Sequence, residues 1–469
     1  MDAADLTAAQ LSRAYAAQDL SPVEALESCL ARVERLNPLL NAIVTLDTDG
    51  ARAAARASET RWLQEAPLSP LDGVPVTIKD NLLVAGLRAT WGSRLYAEHV
   101  PTTDELPVAR LRQAGLVILG KTNVPEFTLQ GYTDNLLFGP TRNPWNTALT
   151  PGGSSGGAVA SVAAGMAPLA LATDGGGSIR RPVSHTGLFG LKPSVGRVAR
   201  GQGFPVILHD FEVVGPIARS AQDIDLAMMV LAGAEACDWA SVRWPAWRKP
   251  ETGWRPLRIL VMPQFGEEPV DAEIARSVAE AVGTIAALGH DVDAGQCPFD
   301  LDRLAGIFAV VSQGGLSWLL RRSRGRREEL TPAIQTMAEA GLALTAADYV
   351  EMLSSVDELK RVLATLFARY DALLTPAAAA LPWPAERSHP EEIAGRSVGP
   401  RGHAVFTPFA NASGCPALAA PCAPSAGGLP IGFQLVAAPG NDELLVALAR
   451  AYADMRPDCM QTPVLAAAA

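Results

Sequence analysis

Two serines set among glycines, and one lysine at the end of an apolar run, are the residues of this 469-residue chain whose types could do covalent chemistry. The first cluster reads Gly152-Gly153-Ser154-Ser155-Gly156-Gly157, and the second Gly175-Gly176-Gly177-Ser178. Glycine costs backbone entropy on folding, so such density marks a chain that bends sharply or closely approaches a ligand. Each turn carries a hydroxyl, which points to a nucleophile. Successive N–H groups of Gly175, Gly176, Gly177 and Ser178 could face one concavity, because no Cβ obstructs the glycines. An acyl-transfer enzyme needs such a nest for its developing oxyanion.

A serine hydroxyl is a weak nucleophile and requires a base. His185 is the nearest histidine in sequence, but the G-x-S-x-G elbow of serine hydrolases is absent. Lys79 is the main alternative. It ends the run Val74-Pro75-Val76-Thr77-Ile78-Lys79, a predicted strand that delivers the ammonium to the end of a sheet. Burial there lowers a lysine's pKa and lets it accept a proton. Glycine–serine clusters also serve as flexible loops or phosphate cradles, although the G-x-x-x-x-G-K-[ST] pattern is absent.

The elements that must position these groups are legible around them. Ser155 or Gly156 starts a helix through Ala158, Val159, Val162 and Ala163, apolar on every face and hence buried. Residues 166–173 then read as a buried strand ending at Asp174, and Pro182 suits the first turn of a short helix after Ser178. Upstream, Thr7-x-x-Gln10 and Ser21-Pro22-Val23-Glu24 are capping boxes that open two helices, the second expected to end at Asn37-Pro38. A helix is predicted over 104–114 and a strand over 116–119, followed by a helix over 223–232. Strand 257–262, helix 271–288 and a strand from His290 continue the alternation, which predicts an α/β fold with a mixed central sheet between helical layers. Residues 300–370 read as a helical elaboration, 370–376 and 431–436 as strands, and 442–452 as a helix. The run 237–256 reads as an exposed connector, and Ala466–Ala469 as a frayed end.

Composition bounds the rest. With 48% hydrophobic residues, 19% charged and a net charge of −10, the chain reads as a soluble globular protein. That charge disfavours a nucleic-acid surface. No uninterrupted apolar run reaches a membrane span, and the N-terminus lacks a signal peptide's pattern, so no membrane role is expected. Six scattered cysteines without C-x-x-C suggest reduced thiols and a cytoplasmic setting, and no metal-ligand spacing stands out. The basic run at 321–327 reads as a solvated face, with anion or tRNA contact as the alternative.

Three segments in order, G-V-P-V-T-I-K-D at 73–80, P-G-G-S-S-G-G at 151–157 and T-D-G-G-G-S-I-R at 173–180, closely resemble the amidase signature family. The resemblance is strong over about 73–220 and weaker toward both ends. It implies an α/β/α fold in a single domain, with N-terminal helices over about 1–60 and the helical elaboration over about 300–370. It further implies a Ser–cis-Ser–Lys triad: Ser178 as nucleophile, Ser154 as bridging serine after a non-proline cis peptide, and Lys79 as base. Gly175 replaces the threonine, isoleucine or serine more usual there, which leaves its N–H intact.

Further roles follow from the same resemblance. Phe127, Gln130, Tyr132 and Asn135 lie in a loop that lines the family's acyl pocket. Arg180 matches the family's loop-bracing arginine, whereas Arg181 is less constrained and could grip a carboxylate in the acyl pocket. Trp318 and Trp383 are candidates for the pocket border. Phe127 and Tyr132 favour a neutral, partly apolar acyl group, so the expected reaction is hydrolysis of a small neutral aliphatic or aryl amide by a homodimer, without cofactor, a carboxylate-bearing acyl chain being the second option. Two alternatives remain at this point: the glutaminase-like subunit of a tRNA-dependent amidotransferase, and a non-enzymatic phosphate-binding or scaffold protein.

Overall fold

Strand pairing is built around the apolar run that ends at Lys79. The computed structural model describes residues 2–249, 255–321 and 326–463. Its strands are β1 (Ile43–Leu46), β2 (Pro75–Lys79), β3 (Val117–Thr122), β4 (Leu169–Asp174), β5 (Phe189–Lys192), β6 (Val213–Ala218), β7 (Arg258–Val261), β8 (Asp291–Ala294), β9 (Ala372–Pro376), β10 (Glu392–Ile393), β11 (Arg396–Ser397), β12 (Ala417–Cys422) and β13 (Ile431–Val436). Eleven of them form one mixed sheet in the order β1-β3-β2-β4-β6-β5-β12-β13-β9-β7-β8, and β10 pairs only with β11. β2 lies parallel to both β3 and β4, so Lys79 and Asp174 end neighbouring strands at the same carboxyl edge. In α/β sheets that edge is where ligands bind.

Both faces of the sheet are covered, and the two-residue period of a strand divides the work. In β4, Leu169 and Leu171 join a core with Ile224, Met228 and Leu231 of helix Ala221–Leu231. Ala170 and Ala172 face the other way, against Ala158, Val159 and Val162 of helix Gly156–Ala163. The α/β expectation holds, with helices on both sides.

The two N-terminal capping boxes form at Thr7/Gln10 and Ser21/Glu24. Helix Pro22–Leu40, however, runs past Asn37-Pro38. It stops at Asn41 in the left-handed region (φ 49°), whose N–H donates to the Asn37 carbonyl at 2.8 Å. The Asn37 side chain then accepts from the N–H groups of Ala42 and Ile43, which turns the chain into β1. β3 is longer than 116–119, reaching Thr122 and carrying the buried Lys121, which pairs with Asp80 at 3.2 Å. β1, only the four residues IVTL, and the alanine-rich β12 are not among the strands expected from the sequence. Both form by pairing with neighbours, β1 on β3 and β12 between β5 and β13.

Helices Leu301–Arg321, Pro332–Leu342 and Ala346–Phe367 occupy the segment read from sequence as helical. Helix Leu301–Arg321 is long and apolar enough to cross a membrane by length and composition. It nevertheless buries a stripe of Leu304, Ile307, Val311, Leu316 and Leu319 against Ile334, Met352 and Val356, the spacing of an amphipathic helix on a core. Most of the 321–327 arginine run, part of the 237–256 connector and Ala466–Ala469 lie outside the described residues.

Candidate active site

The three motifs converge at the carboxyl edge of β2 and β4. Lys79 is fully buried, and its Nζ lies 2.9 Å from Ser154 Oγ, 3.0 Å from the Thr173 carbonyl oxygen and 2.9 Å from Thr173 Oγ1. Burial lowers its pKa to about 7 against the opposing pull of Glu212 and Asp174, with Arg200 and Arg181 adding to the lowering. A substantial neutral fraction therefore exists at neutral pH.

Ser154 follows a cis peptide from Gly153, as the family resemblance implies. Gly153 is packed so closely on the preceding loop that a methyl there would lie 2.3 Å from the Tyr132 carbonyl oxygen. The Ser155 N–H donates to the Ser178 carbonyl at 3.2 Å, tying the two serine loops together. Ser178 is 7% exposed, at the foot of the short helix Arg180–Ser184. Gly177 before it has φ +113°, and a methyl there would sit 2.1 Å from Thr407 Oγ1, so only glycine fits.

The nest differs from the sequence expectation in one member. The Gly177 N–H donates to Asp174 Oδ1 at 2.6 Å and is thereby removed from the oxyanion donors. The N–H groups of Gly175, Gly176 and Ser178 have no partner among the described residues. Asp174 also accepts from the Ile179 N–H at 3.1 Å, and side-on from Arg180 Nε and Nη2, each at 3.0 Å. Burial alone would raise the Asp174 pKa, but the Arg180 charge and the Arg180 and Asn411 hydrogen bonds hold it well below the usual carboxylate range. Arg180 continues to the Thr407 carbonyl at 3.0 Å, Gln434 Oε1 at 2.9 Å and Asn411 Oδ1 at 2.5 Å. Arg180 is thus the loop brace.

The pocket candidates divide. Gln130 and Tyr132 are half-buried in the loop beside Gly153. Phe127 does not line a pocket: it is fully buried, edge-on to Trp91 at 5.3 Å, in a cluster with Tyr96 and Phe204. Asn135 is likewise structural. Its Nδ2 donates to Asn123 Oδ1 and the Val124 carbonyl at 2.7 Å each, and its Oδ1 accepts two backbone N–H groups. Trp318 lies 43% exposed on helix Leu301–Arg321. Phe308, earlier on that helix, meets the glycine loop instead: a methyl on Gly176 would lie 3.3 Å from its ring. Trp383 is buried in contact with the rings of His185 and His403. His185 itself bonds the Ala380 carbonyl through Nε2 and is held neutral by burial, its pKa lowered to about 4.

Sequence reasoning missed Thr173, which holds Lys79; Thr407, Asn411 and Gln434, which hold the nucleophile loop; and Phe308, which covers it. Thr173 had a signal, being the first residue of the third motif. Phe308 had none, because its role depends on a helix packed from far along the chain. Among the described residues, no group of three His, Cys, Asp or Glu gathers as a metal site.

Comparisons with known proteins bear on the family and the fold. The sequence model of the Amidase family matches residues 24–446. Curated relatives include the glutamyl-tRNA(Gln) amidotransferase subunits A of Synechococcus sp. (strain CC9605) and Moorella thermoacetica, both 34% identical, covering 96% and 95% of this chain and 96% of each relative. Among solved structures, a bacterial aryl acylamidase superposes with a TM-score of 0.90 at 29% identity, covering 98% of this chain and 99% of that one. A 6-aminohexanoate cyclic dimer hydrolase gives a TM-score of 0.84 at 27% identity and 99% coverage of both chains. The chain belongs to the amidase signature family of C–N hydrolases.

Proposed function

We propose that this enzyme hydrolyses a small linear carboxamide through an acyl-enzyme on Ser178, with Ser154 and Lys79 as the proton relay. The observation that carries the reading is the 2.9 Å contact between buried Lys79 Nζ and Ser154 Oγ beside a nucleophile loop with free N–H donors. Neutral Lys79 accepts the Ser154 proton as Ser154 Oγ takes the proton of Ser178, whose Oγ attacks the carbonyl carbon. The N–H groups of Gly175, Gly176 and Ser178 face the developing oxyanion. As the C–N bond breaks, the relay returns the proton to the departing nitrogen. Water then enters, loses its proton to the same relay, and releases the acid.

Phe308 against Gly176, tilted against Phe211 at 5.4 Å between ring centroids, gives the site an apolar wall. That wall suits an aliphatic or aryl group of modest size. The resemblance to an aryl acylamidase supports the same substrate class. A serine-directed fluorophosphonate should modify Ser178 and abolish amide turnover, as read by peptide mapping. An adduct on another serine, with full activity in Ser178→Ala, rules the assignment out.

The identity to amidotransferase subunits A supports a second reading, a glutaminase that hands ammonia to a partner. It requires turnover of glutamine and a co-purifying partner. Hydrolysis of simple amides by the isolated chain, without activity on glutamine, excludes it.

A further inference from the structure

Arg180 and Arg181 are adjacent in the chain yet use their guanidinium groups in opposite ways. Arg180 gives its Nε/Nη2 edge to Asp174, a side-on grip on both carboxylate oxygens. Arg181 is 2% exposed and spends Nη1 on the Gly176 carbonyl at 2.6 Å and on Thr407 Oγ1 at 3.3 Å, and Nη2 on the Gly153 carbonyl at 3.4 Å. A guanidinium has five N–H donors. Three are thus committed, and what remains is the buried Nε, which has no partner, and one Nη2 hydrogen. That is the same edge its neighbour presents to a carboxylate, but no acid pairs with Arg181 among the described residues.

The surroundings repeat the pattern. Both ring nitrogens of His403 and Nδ1 of His185 are buried without partners, and both rings contact Trp383. His403 abuts the candidate pocket loop, since a methyl on Gly131 would lie 2.4 Å from its Nε2. His185 abuts the bridging-serine loop, where a methyl on Gly152 would lie 3.0 Å from its Nδ1. The charge that acts most strongly on Arg181 is a second guanidinium, Arg401, which donates to the Leu129 carbonyl at 2.9 Å. Burial and that like charge, with Arg180 adding, lower the Arg181 pKa to about 9 against the weaker opposing pull of Asp174. A buried cation with unmade donors and no acid paired to it is costly unless an anion completes it. Arg181 bonds the carbonyls of Gly153 and Gly176, in the two serine loops, so that anion belongs with the reacting acyl group.

We propose that Arg181, with His403 beside it, forms a carboxylate subsite in the acyl pocket, so that the preferred substrate is an amide whose acyl chain ends in a carboxylate. This rests on the reading of the site as a Ser178 amidase and replaces the expected neutral acyl group. That expectation leaned on Phe127, which packs elsewhere.

The test pairs succinamate and glutaramate with butanamide and pentanamide, measuring kcat/KM for each in the wild type and in Arg181→Gln. The wild type should favour the carboxylates by about tenfold or more, the worth of a charge-assisted bond. Arg181→Gln should erase that preference. Because the substitution also loosens two loops, the ratio of the two series is the readout, not the absolute rate. In the wild type alone, succinate should compete with substrate and slow fluorophosphonate labelling of Ser178. Equal or better turnover of the methyl-terminated amides, with no succinate protection, overturns the subsite and leaves the Ser178 reading standing. An equal loss for both series in Arg181→Gln also overturns it, leaving Arg181 a brace. Absence of both turnover and labelling at Ser178 overturns the catalytic reading and the subsite together.

Discussion

Thr173 holds Lys79 twice, its carbonyl oxygen at 3.0 Å and its hydroxyl at 2.9 Å from Nζ. A neutral amine has two N–H groups and one lone pair. With both N–H groups spent on Thr173, the lone pair is left for the hydroxyl of Ser154. On the proposed mechanism, the threonine thereby sets the direction of proton transfer.

Thr173→Val keeps the shape and removes the hydroxyl acceptor. Turnover should fall about a hundredfold with KM little changed, the scale expected when a catalytic group is misaligned. The acid limb of the pH–rate profile should move to lower pH, because the ammonium form loses one acceptor. A drop carried wholly by KM, with the profile in place, would show that Thr173 does not orient the base.

Lys79→Met separates catalysis from stability. Activity in the wild type should rise with pH through about 7, where Lys79 becomes neutral. The variant should lose about a thousandfold or more and with it that limb. The effect of the substitution on stability has the opposite sign. The folded pKa is about 7 and the unfolded value about 10.4, so between them the unfolded chain binds the extra proton and stability rises with pH. At pH 7 and below, the lysine is therefore a burden, and Lys79→Met should unfold at higher denaturant than the wild type. The gap should close toward pH 10. A destabilised methionine variant at neutral pH contradicts this.

Asp174→Asn should be among the most damaging single changes outside the three candidate catalytic residues. It strips the fully buried Arg180 of its counter-charge, which costs about 3–5 kcal/mol. The wild type should itself show the linkage: since folding depresses the Asp174 pKa, its contribution is complete above about pH 4 and fades as pH falls below that. Urea titrations across that range in wild type and variant check both statements. An Asp174→Asn enzyme of unchanged midpoint would remove the brace from the account.

What the sequence disclosed follows from the range of the interactions concerned. The capping boxes at Thr7 and Ser21 are contacts within one turn, and both formed as read. Strand Ile431–Val436 was clear because Ile431, Phe433 and Leu435 alternate toward one core face. The run Ala417–Cys422 is mostly alanine and has little strand character of its own; only the two flanking strands make it one. Phe127 lies in an otherwise suggestive loop, but Trp91 and Tyr96 claim its ring, and neither is close in sequence. The loss of the Gly177 N–H was nearer to hand: an aspartate three residues upstream commonly turns back on such a group.

The brace around Arg180 also sets an order in time. All three candidate catalytic side chains have been synthesised once Ser178 is added, yet the acceptors of Arg180 at Thr407, Asn411 and Gln434 come from the last part of the chain. On the ribosome, the loop bearing Ser178 gains these fastenings only after Gln434 has emerged and β13 has taken its place between β12 and β9. The nascent enzyme thus carries its reactive groups long before it carries the means to aim them.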